Sequence, residues 1–102
     1  MNDSLTLKEL QAYVKKTLKE RGFDDETVEQ KLLLLVEEVG ELAKALRKHS
    51  GIKIDKNRPQ GEVEHEIADC FIYILDICNK LNIDIEKAFW SKEKINKQRH
   101  WA

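Results

Sequence analysis

The chain has little of what interrupts helices: one Pro and four Gly in 102 residues. Scarce turn residues exclude a fold of many short strands and predict long helices instead. No segment alternates apolar and polar residues with period two, so no sheet is expected. No apolar run approaches the ~18 residues that cross a bilayer. The N-terminal MNDSLTLKE lacks a basic stretch followed by an apolar one. Neither a membrane span nor a signal peptide is therefore expected, and a cytoplasmic location is the default. Neither sign of charge dominates, with 18 Lys+Arg against 19 Asp+Glu. The net charge of −1 leaves no footprint for DNA or RNA as polymers. Cys70 and Cys78 lie on one predicted helix, about 12 Å apart along its axis, too far to pair with each other. Both adjoin an apolar stripe and read as small core residues.

What is present is typical of a helical protein: 41% hydrophobic and 36% charged residues. Residues 1–102 make one domain with a single modest core. The expected fold is all-α, a four-helix bundle completed by oligomerisation. The first helix starts at Thr6, with Glu9 closing a capping box and Leu5 and Leu10 at staple positions. Leu7, Leu10, Val14 and Leu18 form its inward face, and Gly22 ends it near Arg21. The second runs from near Asp25 to about Lys48, with Val28, Leu32, Leu35, Val39, Leu42 and Leu46 as its stripe and Ser50-Gly51 as its stop. A loop follows from His49 to Gly61, long for a helical domain and of a length often functional. The third helix runs from about Glu62 to Leu81, with Val63, Ile67, Cys70, Phe71, Ile74, Cys78 and Leu81 inward. The fourth is capped by Asp84, turns Ile85, Ala88 and Phe89 inward, and reaches roughly Arg99. The second helix contains LLLLV, too apolar for one face, so subunits are expected to pack along it.

Two groups of acids sit inside these apolar helices. Glu37, Glu38 and Glu41 lie in EEVGE, after LLLLV; Glu66 and Asp69 lie in EIAD, before CFIYIL. An ExxE or ExxD places two carboxylates one turn apart, pointing the same way. From the middle of the second stripe, Glu38 lies about 80° round, Glu41 about 140° and Glu37 about 180°. On antiparallel helices, four oxygen donors converge on one point. Unpaired carboxylates that close repel and raise one another's pKa, so the arrangement asks for a counter-ion. Oxygen donors without thiols or paired imidazoles favour Mg²⁺ or Mn²⁺ over zinc. The plainer alternative is a solvated acidic face answered by Lys44, Arg47 and Lys48. On the fourth helix, Lys92, Asn96 and Arg99 fall within about 60° of one another and continue the stripe of Ile85 and Phe89. A cation, an amide and a guanidinium together suit phosphate or ribose; cations that merely complement the helix dipole are the alternative.

EEVGE, a spacer of 24 residues and EIAD resemble the EExxE…ExxD signature of the MazG-like, all-α nucleoside triphosphate pyrophosphohydrolases. AFWSKEKINKQR resembles that family's ending at Lys92, Asn96 and Arg99. The resemblance runs from about Leu32 to Arg99; Ile95 departs from it where many relatives carry a second Lys. It implies Mg²⁺-dependent hydrolysis of a nucleoside triphosphate, ribo or deoxy, to the monophosphate and pyrophosphate, as nucleotide-pool house-cleaning. It implies Glu38, Glu41, Glu66 and Asp69 as metal ligands, with Glu37 either a further ligand or the residue that positions the attacking water. Glu37, Glu38 and Glu41 are the catalytic candidates. Lys92, Arg99 and Asn96 would bind phosphates and sugar, in a homodimer or homotetramer. Lys53, Lys56 and Arg58 are loop cations that either close over phosphates or stay solvated. Trp90 and Trp101 read as core or interface packing sooner than base-stacking groups, and His49, His65 and His100 as surface residues.

Three other readings compete. Glu62-Val63-Glu64-His65 is an ExxH of the di-iron type, but such a site needs two such pairs and two further Glu. Phosphoribosyl-ATP is a substrate alternative within the same superfamily. A non-catalytic helical interaction module is the alternative from another class, against which the retained acids and the Lys92, Asn96 and Arg99 set argue.

Overall fold

Thr6 and Thr27 each sit in extended backbone and accept a hydrogen bond from the amide three residues on, while Glu9 and Gln30 reach back to the cap amides. These two capping boxes start α1 (Leu7–Glu20) and α2 (Val28–Ser50). The second helix thus begins three residues later than Asp25: TVEQ carries the capping signal. Gly51 ends α2 at φ +77, a left-handed position that suits glycine. Then follow α3 (Val63–Lys80) and α4 (Ile85–Lys97), the latter capped by Asp84, which accepts from the Lys87 amide. The computed structural model describes residues 5–57 and 61–101; Arg58, Pro59 and the side chain of His49 lie outside the described residues. All regular structure among these residues is helical, as expected, and no described helix is long and apolar enough to cross a membrane.

The α2–α3 pair is the centre of the fold, and α1 joins it to α4. Lys31 meets Asp76 while Glu38 meets Glu66 and Asp69, so α2 and α3 run antiparallel. Gln11, buried on α1, ties the elements together. Its amide donates to Asn79 Oδ1 (3.1 Å) and to the Ile83 carbonyl (2.7 Å), and it accepts from the Ile85 amide (3.1 Å). One buried side chain thereby fixes α1 against the end of α3 and the start of α4.

The inward faces differ in part from those that periodicity predicts. Val14, Cys70 and Cys78 are buried as expected, but Leu32, Val39 and Leu46 are exposed, and so are Ile67, Phe71, Ile74, Leu81 and Phe89. On α2 the face covered by the rest of the chain is Lys31, Leu35, Glu38, Leu42 and Ala45. Its centre lies about 80° from the predicted one, so Glu38 is central rather than on a flank. The physical reason is that α2 has two apolar faces and only one helix lying along it. Trp90 and Trp101 are also exposed, which removes core packing within the chain as their role. The Cα radius of gyration is 16.5 Å, against about 13 Å for a compact chain near this length. The exposed surface is 8273 Å², where a folded monomer of 12.0 kDa exposes about 6,000 Å². The single chain is open.

Candidate metal centre

Three of the predicted acids converge. One carboxylate oxygen each from Glu38, Glu66 and Asp69 lies within 4.8 Å of the others. Glu38 projects from the middle of the α3-facing side of α2, while Glu66 and Asp69 occupy successive turns of α3. Gly61, just ahead of α3, leaves room for this arrangement: a Cβ there would overlap the Glu66 carboxylate. Burial, then repulsion from Asp69, Glu66 and Glu37, raises the Glu38 carboxyl above the ordinary glutamate range. The same field reaches further: burial first, and Glu38 next, raise both the Cys70 thiol and the Tyr73 phenol. Cys70 is buried, as expected of a packing residue, and a raised thiol is the opposite of what a nucleophile needs.

The other candidates are placed differently. Glu41 and Glu37 are exposed on α2, outside the group of three. Lys92 and Asn96 lie on α4, and Arg99 just beyond its end, with its guanidinium 5.9 Å from the Trp101 ring centroid. Helix α4 packs chiefly on α1 rather than on the α2–α3 pair that carries the acids. Lys53 is exposed in the loop, and its carbonyl accepts a hydrogen bond from Arg47.

Beside the acids the structure contains groups that sequence reasoning missed. Lys31 is wholly buried on α2; its ammonium lies 2.6 Å from Asp76 Oδ2 and 3.3 Å from Glu26, and donates to the Phe23 carbonyl at 2.8 Å. Burial pulls this ammonium down, but Asp76 and then Glu26 outweigh it and the net direction is up. The Asp76 contact is an ion pair by distance, yet its angle leaves Oδ2 without a hydrogen-bond donor. A cavity of about 210 Å³ runs from Glu38 and Asp69 to Asp76, walled by Leu18, Arg21, Phe23, Ile72 and Tyr73. The only signal of the pair in the sequence is position: Lys31 lies seven residues before Glu38, and Asp76 seven after Asp69. That is two helical turns, which keeps each on its acid's side.

Comparison with known proteins places this geometry. Residues 26–101 match the family described as MazG nucleotide pyrophosphohydrolase domain. A dATP/dGTP diphosphohydrolase of Cyanophage S-2L is 34% identical over 68 residues, 67% of this chain and 52% of that protein. The chain thus spans about half the length of that curated relative. Among solved structures, YPJD of Bacillus subtilis, a candidate pyrophosphatase, superposes with a TM-score of 0.81 at 25% identity, covering 97% of this chain and all of that one. iMazG of Vibrio DAT 722 superposes with a TM-score of 0.66 at 29% identity, covering 96% of this chain and all of that one. The matched region contains α2, α3 and α4 with the converging acids, and the chain belongs to the MazG nucleotide pyrophosphohydrolase family.

Proposed function

We propose that the protein hydrolyses a nucleoside triphosphate, ribo or deoxy, to the monophosphate and pyrophosphate, with Mg²⁺ or Mn²⁺ held by Glu38, Glu66 and Asp69. The observation that carries this reading is the meeting of those three carboxylates in a chain of this family. Their donors are all oxygen, and Glu38 is already raised by its neighbours; a hard divalent cation suits both facts. When bound, the cation neutralises phosphate charge and lowers the pKa of a water. The water's oxygen joins the α-phosphorus, the α–β anhydride bond breaks, and pyrophosphate leaves. Glu41, one turn from Glu38, completes the ligand set from the exposed rim, and Glu37 orients the water. The relative that acts on dATP and dGTP supports a nucleotide substrate, and such a substrate supports a cytoplasmic place in nucleotide-pool house-cleaning.

Lys92, Asn96 and Arg99 bind the polyphosphate and sugar in this reading. Since their helix packs on α1 within the chain, a neighbouring copy brings them to the acids. A homodimer or homotetramer joined along α2 supplies that copy and covers Leu32, Leu33, Val36 and Val39, all half or more exposed.

The test is pyrophosphate release from a panel of the common NTPs and dNTPs, with Mg²⁺ and with EDTA, beside Glu38→Gln. Release of pyrophosphate and monophosphate that needs the cation and disappears in the variant is the expected result. No turnover of any panel member together with no cation binding would overturn the reading.

A further inference from the structure

We propose that the cavity beside the acids receives the nucleobase, and that Asp76, held by Lys31, selects bases bearing an exocyclic amino group. This rests on the nucleotide-hydrolase reading above. Asp69, Ile72, Tyr73 and Asp76 stand at i, i+3, i+4 and i+7 on α3, one continuous side of the helix leading away from the acids. Two turns separate Asp69 from Asp76, a span that a nucleoside covers between its 5′ carbon and the far edge of its base. The volume of about 210 Å³ falls short of the ~300–1,000 Å³ of sites that engulf a whole drug-sized ligand. It admits a base, with the triphosphate left outside at the acids. Phe23 and Tyr73 offer aromatic faces, and Leu18 and Ile72 an apolar wall, as a flat heterocycle requires.

The far end is chemically specific. Asp76 is 5% exposed, and the Lys31 ammonium 2.6 Å from Oδ2 fixes its orientation; a carboxylate paired in this way offers acceptors to the cavity. The amino group of cytosine or adenine can donate to it; the carbonyl that replaces that group in uracil or hypoxanthine meets it acceptor to acceptor. The partner lacking the amino group also leaves a buried carboxylate unsatisfied, so discrimination of roughly 10- to 100-fold follows. Arg21, on the cavity wall, supplies donors for the base's remaining acceptors.

The experiment compares kcat/KM for CTP with UTP and for ATP with ITP, ribo and deoxy, in wild type and Asp76→Asn. Wild type should favour the amino-bearing partner in each pair. The variant, whose amide both donates and accepts, should bring the ratios near unity. Phe23→Ala removes a half-exposed side chain and should raise KM by roughly tenfold, with kcat and Mn²⁺ affinity unchanged. Independently of turnover, amide shifts of the full chain titrated with CMP and UMP should move at Phe23, Ile72, Tyr73 and Asp76, more strongly with CMP. If no triphosphate is hydrolysed and no cation binds, the function above fails while these shifts still decide the cavity. Should Asp76→Asn unfold, the wild-type ratios and Phe23→Ala decide. Equal wild-type ratios, or shifts confined to other residues, would overturn the proposal.

Discussion

Glu38 shows how a single carboxylate can oppose folding and still serve a site. Its folded pKa is raised, by burial first and by Asp69 and Glu66 next. Between the ordinary glutamate pKa and that raised value, the folded protein binds more protons than the unfolded chain. Metal-free stability therefore falls as pH rises through this window, and the deficit persists at neutral pH. Glu38→Gln removes the deficit, so in EDTA the variant should melt above wild type near pH 8, the difference closing as pH drops below the ordinary glutamate range. Added Mg²⁺ should raise the wild-type midpoint and not the variant's. Cation affinity should weaken on acidification, because protons compete for the same oxygens. Turnover should fall at least about 100-fold in the variant, as several kcal/mol of lost charge stabilisation implies. Thermal melts across pH, with and without cation, check every part of this, and a variant less stable than wild type in EDTA at pH 8 would refute it.

Between helices, the buried Lys31–Asp76 pair is the polar counterpart of the acid cluster, two turns further along the same α2–α3 contact. Removing one member leaves the other's charge buried and uncompensated. Lys31→Met should destabilise the fold by about 3–5 kcal/mol, whereas Lys31→Met with Asp76→Leu should recover most of that loss. Urea unfolding of both variants separates the pair's structural weight from any part in choosing a base. The contrast also shows why the sequence was readable in some places and not in others. Thr6 with Glu9, Gly51 and Asp84 are local signals, and they mark the start of α1, the end of α2 and the start of α4. Glu38, Glu66 and Asp69 were legible because acids inside apolar helices conflict with their surroundings. Lys31 and Asp76 were not, since a lone Lys and a lone Asp at ordinary helical positions look like surface residues until two helices bring them together. The centre of the α2 face was misplaced for a different reason: periodicity reports every apolar face at once, and cannot tell one covered within the chain from one that is not.

The open shape of the whole chain turns that second face into a statement about assembly. The surplus over a compact monomer is roughly 2,000 Å², beyond the ~800 Å² that each partner contributes to a standard interface. Leu33 and Val36 are 70% and 60% exposed at the heart of the uncovered side of α2. A copy packed there would also bring a second α4, with Lys92, Asn96 and Arg99, within reach of acids that form no ion pair among the described residues of their own chain. The double variant Leu33→Glu/Val36→Glu places two charges in that contact. It should raise the subunit dissociation constant by roughly 100-fold or more, equivalent to about 3 kcal/mol. Sedimentation should then show monomers at concentrations where wild type is associated, and turnover should fall with the fraction assembled. Because Glu38, Glu66 and Asp69 come from one chain, Mn²⁺ binding should survive in the dissociated variant. A variant that stays associated, or a monomer that turns over substrate at the wild-type rate, would show that α2 is not the joining face or that the acids do not depend on a neighbour's α4.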